Sequence, residues 1–434
     1  MIDTTKYVGP KCGGVINKLG GVINRFMADE YQLSDIDATR YCGQKLGGVI
    51  NKLLDDAPSK DLGIKMVTPF TLVLVALMGL AAVVAVYRLI FGIGAASNLN
   101  DLWPWGLWIG FDVLGGVAMA AGAFLIAAAV YILNWKKYKC IARASILNAF
   151  FGYLLAAISI TLDIGRSFVI WHPLVMWQVN SVMFIVALHL VLYLTTLGTE
   201  SSPMVFEKLG WHRALHNVSR IMVGAVMFGV ALSLLHQSSL GANYLIVPGK
   251  LSPIWYDHLL PYHFLVSAIM LGLAIVSFET LLTAKVFNHK PPRDVVEGLA
   301  RGVMIVGSVY LVMKIWHLVT GPGLGAVLDG SFAGNLYLIE MTVGVMLPLA
   351  LLSLRSVRTS LERIFVVDML VILGVLMNRM NVAVFGVSEY ATRSGGDYFP
   401  ALMEFSISLG LTAFAILGFK FCAKYLPLFP ESHH

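Results

Sequence analysis

Apolar runs long enough to cross a lipid bilayer recur ten times between residues 67 and 423 of this chain. A helix needs about 20 such residues to span a hydrocarbon core of roughly 30 Å. Lipid offers the backbone no hydrogen-bond partner, so a run of this kind folds as a helix that satisfies itself. The runs cover 67–91, 105–133, 143–164, 178–197, 217–236, 260–284, 297–318, 334–354, 363–385 and 401–423. They predict an all-α fold, a polytopic transmembrane bundle of about ten helices. Composition agrees: 58% of the 434 residues are hydrophobic and only 13% are charged, about half the charged share of a soluble domain.

The connecting segments alternate in charge. Lys136, Lys137, Lys139 and Arg143 follow the second run, and Lys208, Arg213 and Arg220 follow the fourth. Lys285, Lys290, Arg293 and Arg301 follow the sixth, and Arg355, Arg358 and Arg363 follow the eighth. The other loops carry few basic residues, chiefly Arg166, Lys250 and Arg393. Basic loops stay on the cytoplasmic side, which places both termini in the cytoplasm of a bacterial or archaeal cell and the chain in its cytoplasmic membrane. The net charge of +6 arises from these loops and gives no reason to expect nucleic acid.

The chain divides into a polar extension over residues 1–65, a transmembrane domain over 66–427 and a short tail over 428–434. The extension repeats Gly-Gly-Val-Ile-Asn from Gly13, Gly20 and Gly47, and Val15, Leu19, Val22 and Phe26 share one helical face. A surface helix lying on the membrane is the simpler reading, and a docking element for a partner the sharper one. The first sixty residues lack the apolar core of a signal peptide, so insertion is expected to use the first transmembrane helix. Cys12, Cys42, Cys140 and Cys422 are scattered, without the spacing of a zinc or iron–sulfur site.

Ionisable groups inside a bilayer are costly and mark sites or pathways. On this topology the outer third of the bundle holds Asp112, Asp163, Arg166, His236, Lys314, His317, Glu340, Arg379 and Glu404, and the inner half holds His189, Glu279 and Asp368. Donors and carboxylates gathered near one surface suit a quinone, whose oxygens take up or release protons as electrons move. Structural ion pairs, Asp163–Arg166 and Lys314–Glu340, are the competing explanation. The histidines form no evident pair at equal depth, so no haem or metal is expected on this chain. No inverted repeat of the transporter kind is visible.

The segment Trp103-Pro104-Trp105-Gly106-Leu107-Trp108-Ile109-Gly110-Phe111-Asp112 resembles the start of an early helix in the NrfD/polysulfide reductase membrane-subunit family, in particular its ten-helix HybB-like branch. Further matches follow in order: Phe151-Gly152-Tyr153, Ile160 to Arg166, Asn180-Ser181-Val182, Glu207 to Trp211, His236 to Gly241, Leu259-Leu260-Pro261, Ser277-Phe278-Glu279 and Tyr398-Phe399-Pro400. The resemblance spans roughly residues 75–427. It implies a membrane subunit that reacts with menaquinone or ubiquinone near the periplasmic face. The implied partners are a ferredoxin-like [4Fe-4S] subunit and a periplasmic hydrogenase, molybdoenzyme or multihaem cytochrome c. Carried onto this sequence, the resemblance places Asp112 and His236 at the quinone and Asp112, Tyr153 and Glu279 in proton transfer; Arg166, Lys314 and His317 are expected at the quinone from the charge pattern of the outer third. Where relatives are expected to carry a carboxylate soon after the Asn180 motif, Phe184-Ile185-Val186 is apolar, so a proton path there would be rerouted.

Three roles remain open at this level: a quinone-reactive subunit of an oxidoreductase complex, an anchor for periplasmic redox subunits without its own quinone site, and a redox-driven proton translocator.

Overall fold

A computed structural model describes residues 64–428, apart from 104, 288 and 289. The extension and its Gly-Gly-Val-Ile-Asn repeats, and nearly all of the tail, lie outside the described residues. Among the described residues, ten helices are long and apolar enough to cross a membrane. They are α1 (Pro69–Phe91), α2 (Trp108–Ile132), α3 (Lys136–Asp163), α4 (Val182–Leu209), α5 (His212–Ile246), α6 (Leu260–Val286), α7 (Arg293–Thr320), α8 (Phe332–Ser353), α9 (Leu361–Arg393) and α10 (Leu402–Tyr425). The described residues contain no strand.

The helices pack as two groups of four. α2 to α5 form one, α6 to α9 the other, and α2 and α6 join them at the centre. α1 lies outside the first group, mainly against α10, which itself rests on α3. Small residues allow the tightest crossings, as expected where dispersion replaces the hydrophobic effect. A Cβ added at Gly122 would meet the carbonyl of Gly272 at 2.7 Å, so α2 and α6 touch backbone to backbone there. Gly344 of α8 and Gly374 of α9 make a similar crossing.

α4 and α5 run well past the polar residues at which their apolar runs end. α4 continues past residue 197 through Thr199, Glu200, Ser201, Ser202 and Pro203 to Leu209, and α5 occupies 35 residues. At 1.5 Å per residue, α5 is about 52 Å long. Their polar stretches are buried against neighbouring helices, including Glu200, Pro203, His236, Gln237 and Asn243. Gly210, at a left-handed φ of 68°, closes α4 and turns the chain into α5, a conformation that costs glycine little. These extensions reset the depth of every residue on both helices.

α2 and α8 each contain a π-helical stretch, at Trp108–Gly115 and Thr342–Met346. Such widened turns recur at functional sites because they re-aim side chains. The first carries Asp112, and the second begins two residues after Glu340.

Candidate functional site

Even-numbered helices begin, and odd-numbered helices end, on the face opposite the basic loops. Nearly all the buried charge lies near that face, in three clusters separated by aromatic side chains.

The first cluster is in the α6–α9 group. Lys314 and Glu340 approach to 3.4 Å. Glu340 also accepts hydrogen bonds from Trp255 Nε1 (3.0 Å), Asn378 Nδ2 (2.8 Å) and Asn381 Nδ2 (2.7 Å). Arg379 donates to the Phe264 carbonyl (3.0 Å), Ser267 Oγ (2.9 Å) and Asn378 Oδ1 (2.8 Å), and its guanidinium lies 3.8 Å from the Phe264 ring centroid. Above it, Asp257 of the α5–α6 loop is 3.3 Å from His317 Nδ1 and 3.8 Å from His263 Nε2. His317 Nε2 lies 3.2 Å from the Ile254 carbonyl. Lys314 and His317 are therefore engaged by a network that ties the α5–α6 loop to four helices, α6 to α9.

The second cluster joins α1, α2, α3 and α10. Asp112 accepts from Ser408 Oγ at 2.6 Å and Ser159 Oγ at 3.4 Å, and no cation among the described residues pairs with it. Glu404 accepts from the backbone N–H groups of Ala401 (2.9 Å) and Asn98 (3.1 Å), and from the Tyr398 hydroxyl at 2.6 Å. Tyr398 in turn accepts from the Leu107 N–H at 3.0 Å. Burial, and then Glu404, hold the Tyr398 phenol above its ordinary pKa, so it stays a donor. Arg88, not Arg166, is the guanidinium within electrostatic reach of Asp163. It is buried and donates to the Ile164 carbonyl (2.6 Å) and Ser167 Oγ (2.9 Å). Arg166 is exposed, so the Asp163–Arg166 pair is replaced by Asp163 and Arg88. The sequence pointed to Arg166 by proximity alone, and Arg88 by nothing, since it ends a run that otherwise reads as a lipid-facing helix.

The third cluster lies within α3, α4 and α5. The rings of Tyr153 and Tyr193 are 4.5 Å apart, those of Tyr153 and His236 5.5 Å, and those of His189 and His236 6.1 Å. Ser233 sits beside both phenols. His236 is fully buried, and both its ring nitrogens, the Tyr153 hydroxyl and His189 Nδ1 have no hydrogen-bond partner among the described residues. His189 is two turns into α4 from Val182, in the half near the non-basic face, and His236 is ten residues short of the end of α5. The expectation that no two histidines share a depth is thus corrected: helix ends drawn at polar residues had put one too deep and the other too shallow. Gly229 brings α5 close to Tyr193 and to Glu200 of α4, a buried carboxylate that lay beyond the expected end of its apolar run.

The first two clusters meet at Tyr244, which lies within electrostatic reach of both Arg379 and Asp163 and has no partner for its hydroxyl among the described residues. Trp105 (4.7 Å) and Phe264 (6.1 Å) flank its ring. Nearer the basic face, Glu279 accepts a short hydrogen bond from Asn148. Asp368 is buried beside Ser277 with both oxygens unpartnered among the described residues. The expected site residues therefore occupy different places: Lys314 with His317, Asp112 with Ser408, His236 with Tyr153, Glu279 apart on the inner side, and Arg166 outside.

A family model described as polysulphide reductase, NrfD, matches residues 95–388. The chain belongs to the NrfD family. Among relatives, a protein of Nitratidesulfovibrio vulgaris is 35% identical over 383 residues, 84% of this chain and 96% of that protein. The probable Ni/Fe-hydrogenase 2 b-type cytochrome subunit of Escherichia coli is 29% identical over 374 residues, 85% of this chain and 94% of its own length. The menaquinone reductase integral membrane subunit of N. vulgaris is 27% identical over 376 residues, covering 80% and 88%. This NrfD-family chain is thus a multi-pass membrane protein whose named relatives are membrane subunits of oxidoreductase complexes.

Proposed function

We propose that this NrfD-family chain is the quinone-reactive membrane subunit of a respiratory complex in the cytoplasmic membrane, with its basic loops and both termini cytoplasmic. It exchanges electrons between menaquinone or ubiquinone and a ferredoxin-like [4Fe-4S] subunit on the opposite face. That subunit links it to a periplasmic hydrogenase, molybdoenzyme or multihaem cytochrome c. The observation that carries this reading is the seam at Tyr244: a buried phenol with no hydrogen-bond partner among the described residues, flanked by the Trp105 and Phe264 rings, with Arg379 and Asp163 within electrostatic reach. Buried polar groups are ordinarily hydrogen-bonded, so an open one beside apolar rings suits a ligand oxygen. Quinol oxidation releases two electrons to the partner and two protons to the protein. Asp112, with no cation paired to it among the described residues, is the carboxylate assigned to accept one, and His236 with Tyr153 forms a second polar group packed on α3.

The name of the Escherichia coli relative raises haem as an alternative occupant of the His189–His236 pair. An imidazole that binds a metal almost always donates its second nitrogen to an anchoring acceptor. Among the described residues neither His236 nitrogen nor His189 Nδ1 has one, so the pair is assigned to proton exchange and not to ligation. Half-buried Glu279 and buried Asp368 favour, as an added role, proton entry from the basic side.

The test is quinone extraction from the purified complex together with quinol-dependent turnover. Near-stoichiometric quinone and turnover lost in Asp112→Asn support the proposal. Absence of both quinone and turnover in the wild-type complex leaves the chain an anchor.

A further inference from the structure

The face that carries the basic loops holds a cavity of about 440 Å³ between α7 and the turn joining α8 to α9. Arg301, Arg355 and Arg358 form its polar wall, with Glu297 its one carboxylate and Met304 and Ile305 its apolar floor. The volume is within the roughly 300–1,000 Å³ range of small-ligand clefts.

Positive charge is left over in this cavity. Glu297 is taken up by Arg293 at 3.0 Å and lies 3.9 Å from Arg301. Arg358 donates to the Met304 sulfur at 3.2 Å, a weak acceptor. Arg355 is exposed and meets no carboxylate among the described residues. The site is thus short of an anion.

The apolar floor does not stop at the cavity. Ile305, one turn beyond Arg301, is 63% exposed, and Val309, Val312 and Trp316 continue from it along α7 as an exposed stripe. Steps of four, three and four residues keep them on one helical face. Guanidinium groups therefore stand at one end of a long apolar track, at the level of the basic loops. A free anion uses only the first of these features, whereas an amphiphile uses both.

We propose that this cavity binds an anionic phospholipid, its phosphodiester held by Arg301, Arg355 and Arg358 and an acyl chain laid along Ile305, Val309 and Val312. Basic clefts between helices on the cytoplasmic side attract acidic headgroups, and here the apolar track extends the same contact into the membrane. The site lies on the face opposite the Tyr244 seam and does not depend on the quinone reading.

The experiment is native mass spectrometry of the whole complex released from detergent, with phosphatidylglycerol, phosphatidylcholine or inorganic phosphate added. Wild-type complex is expected to retain phosphatidylglycerol in preference to phosphatidylcholine. Arg355→Gln/Arg358→Gln is expected to bind phosphatidylglycerol roughly ten- to thirty-fold more weakly, and Arg301→Gln to weaken it as well. The two variants are independent, so misassembly of one leaves the other to decide. Equal retention in wild type and an assembled variant overturns the proposal, as does displacement of the lipid by inorganic phosphate, which would mark the cavity as a simple anion site.

Discussion

Lys314 of α7 and Glu340 of α8 face each other at 3.4 Å with 2% and 1% of their side-chain surfaces exposed. Removing one member of a buried pair strands the other charge, at a cost of roughly 3–5 kcal/mol. Lys314→Met is expected to lower the thermal midpoint of the purified complex, but it leaves Glu340 with three neutral donors. Glu340→Ala is expected to lower it further, because Trp255, Asn378 and Asn381 lose their acceptor as well. Wild-type melting of Lys314→Met would show that the pair carries no structural load.

Asp112→Asn preserves the size of the side chain and its contacts with Ser408 and Ser159, and removes its ability to take a proton. General base catalysis is worth about 10²- to 10⁴-fold. Quinol-dependent turnover of the assembled complex is expected to fall by about 10²-fold or more. Undiminished turnover would remove Asp112 from the reaction.

The His189–His236 pair makes a spectroscopic prediction. The reduced-minus-oxidised optical spectrum of the complex is expected to be the same in wild type and in His189→Phe. A b-type signal that disappears in the variant would overturn the assignment and make the pair haem ligands.

Glu279→Gln keeps the contact with Asn148 available while abolishing ionisation. If the inner carboxylates admit protons from the basic side, quinol turnover continues in this variant while proton uptake by proteoliposomes from that side is lost. Loss of both together, or of neither, argues against such a path.

Much of the fold was legible in the sequence, because span length and loop charge are one-dimensional signals. Ten runs became ten helices, and the Lys314–Glu340 pair, weighed as the structural alternative to a quinone site, is present. What escaped was azimuth. Depth along a helix follows from residue number once the ends are known, whereas the side of the bundle a residue faces depends on packing. Asp112, His236 and Lys314 share a face of the membrane and still belong to three clusters. The helix ends themselves failed at α4 and α5, where buried polar residues continue a helix that hydropathy had cut short. That one error hid Glu200 and the approach of His189 to His236. Asn378 and Asn381 escaped because a neutral amide in an apolar run gives no charge signal.

The four donors around Glu340 reach the membrane at different times. Lys314 and Trp255 precede it along the chain, whereas Asn378 and Asn381 are synthesised later. A carboxylate entering lipid alone is costly, and Lys314 is the charged partner already made before α9 exists. Lys314 is thus the charge partner that Glu340 can meet first, and the two asparagines complete its donors when the ninth helix arrives.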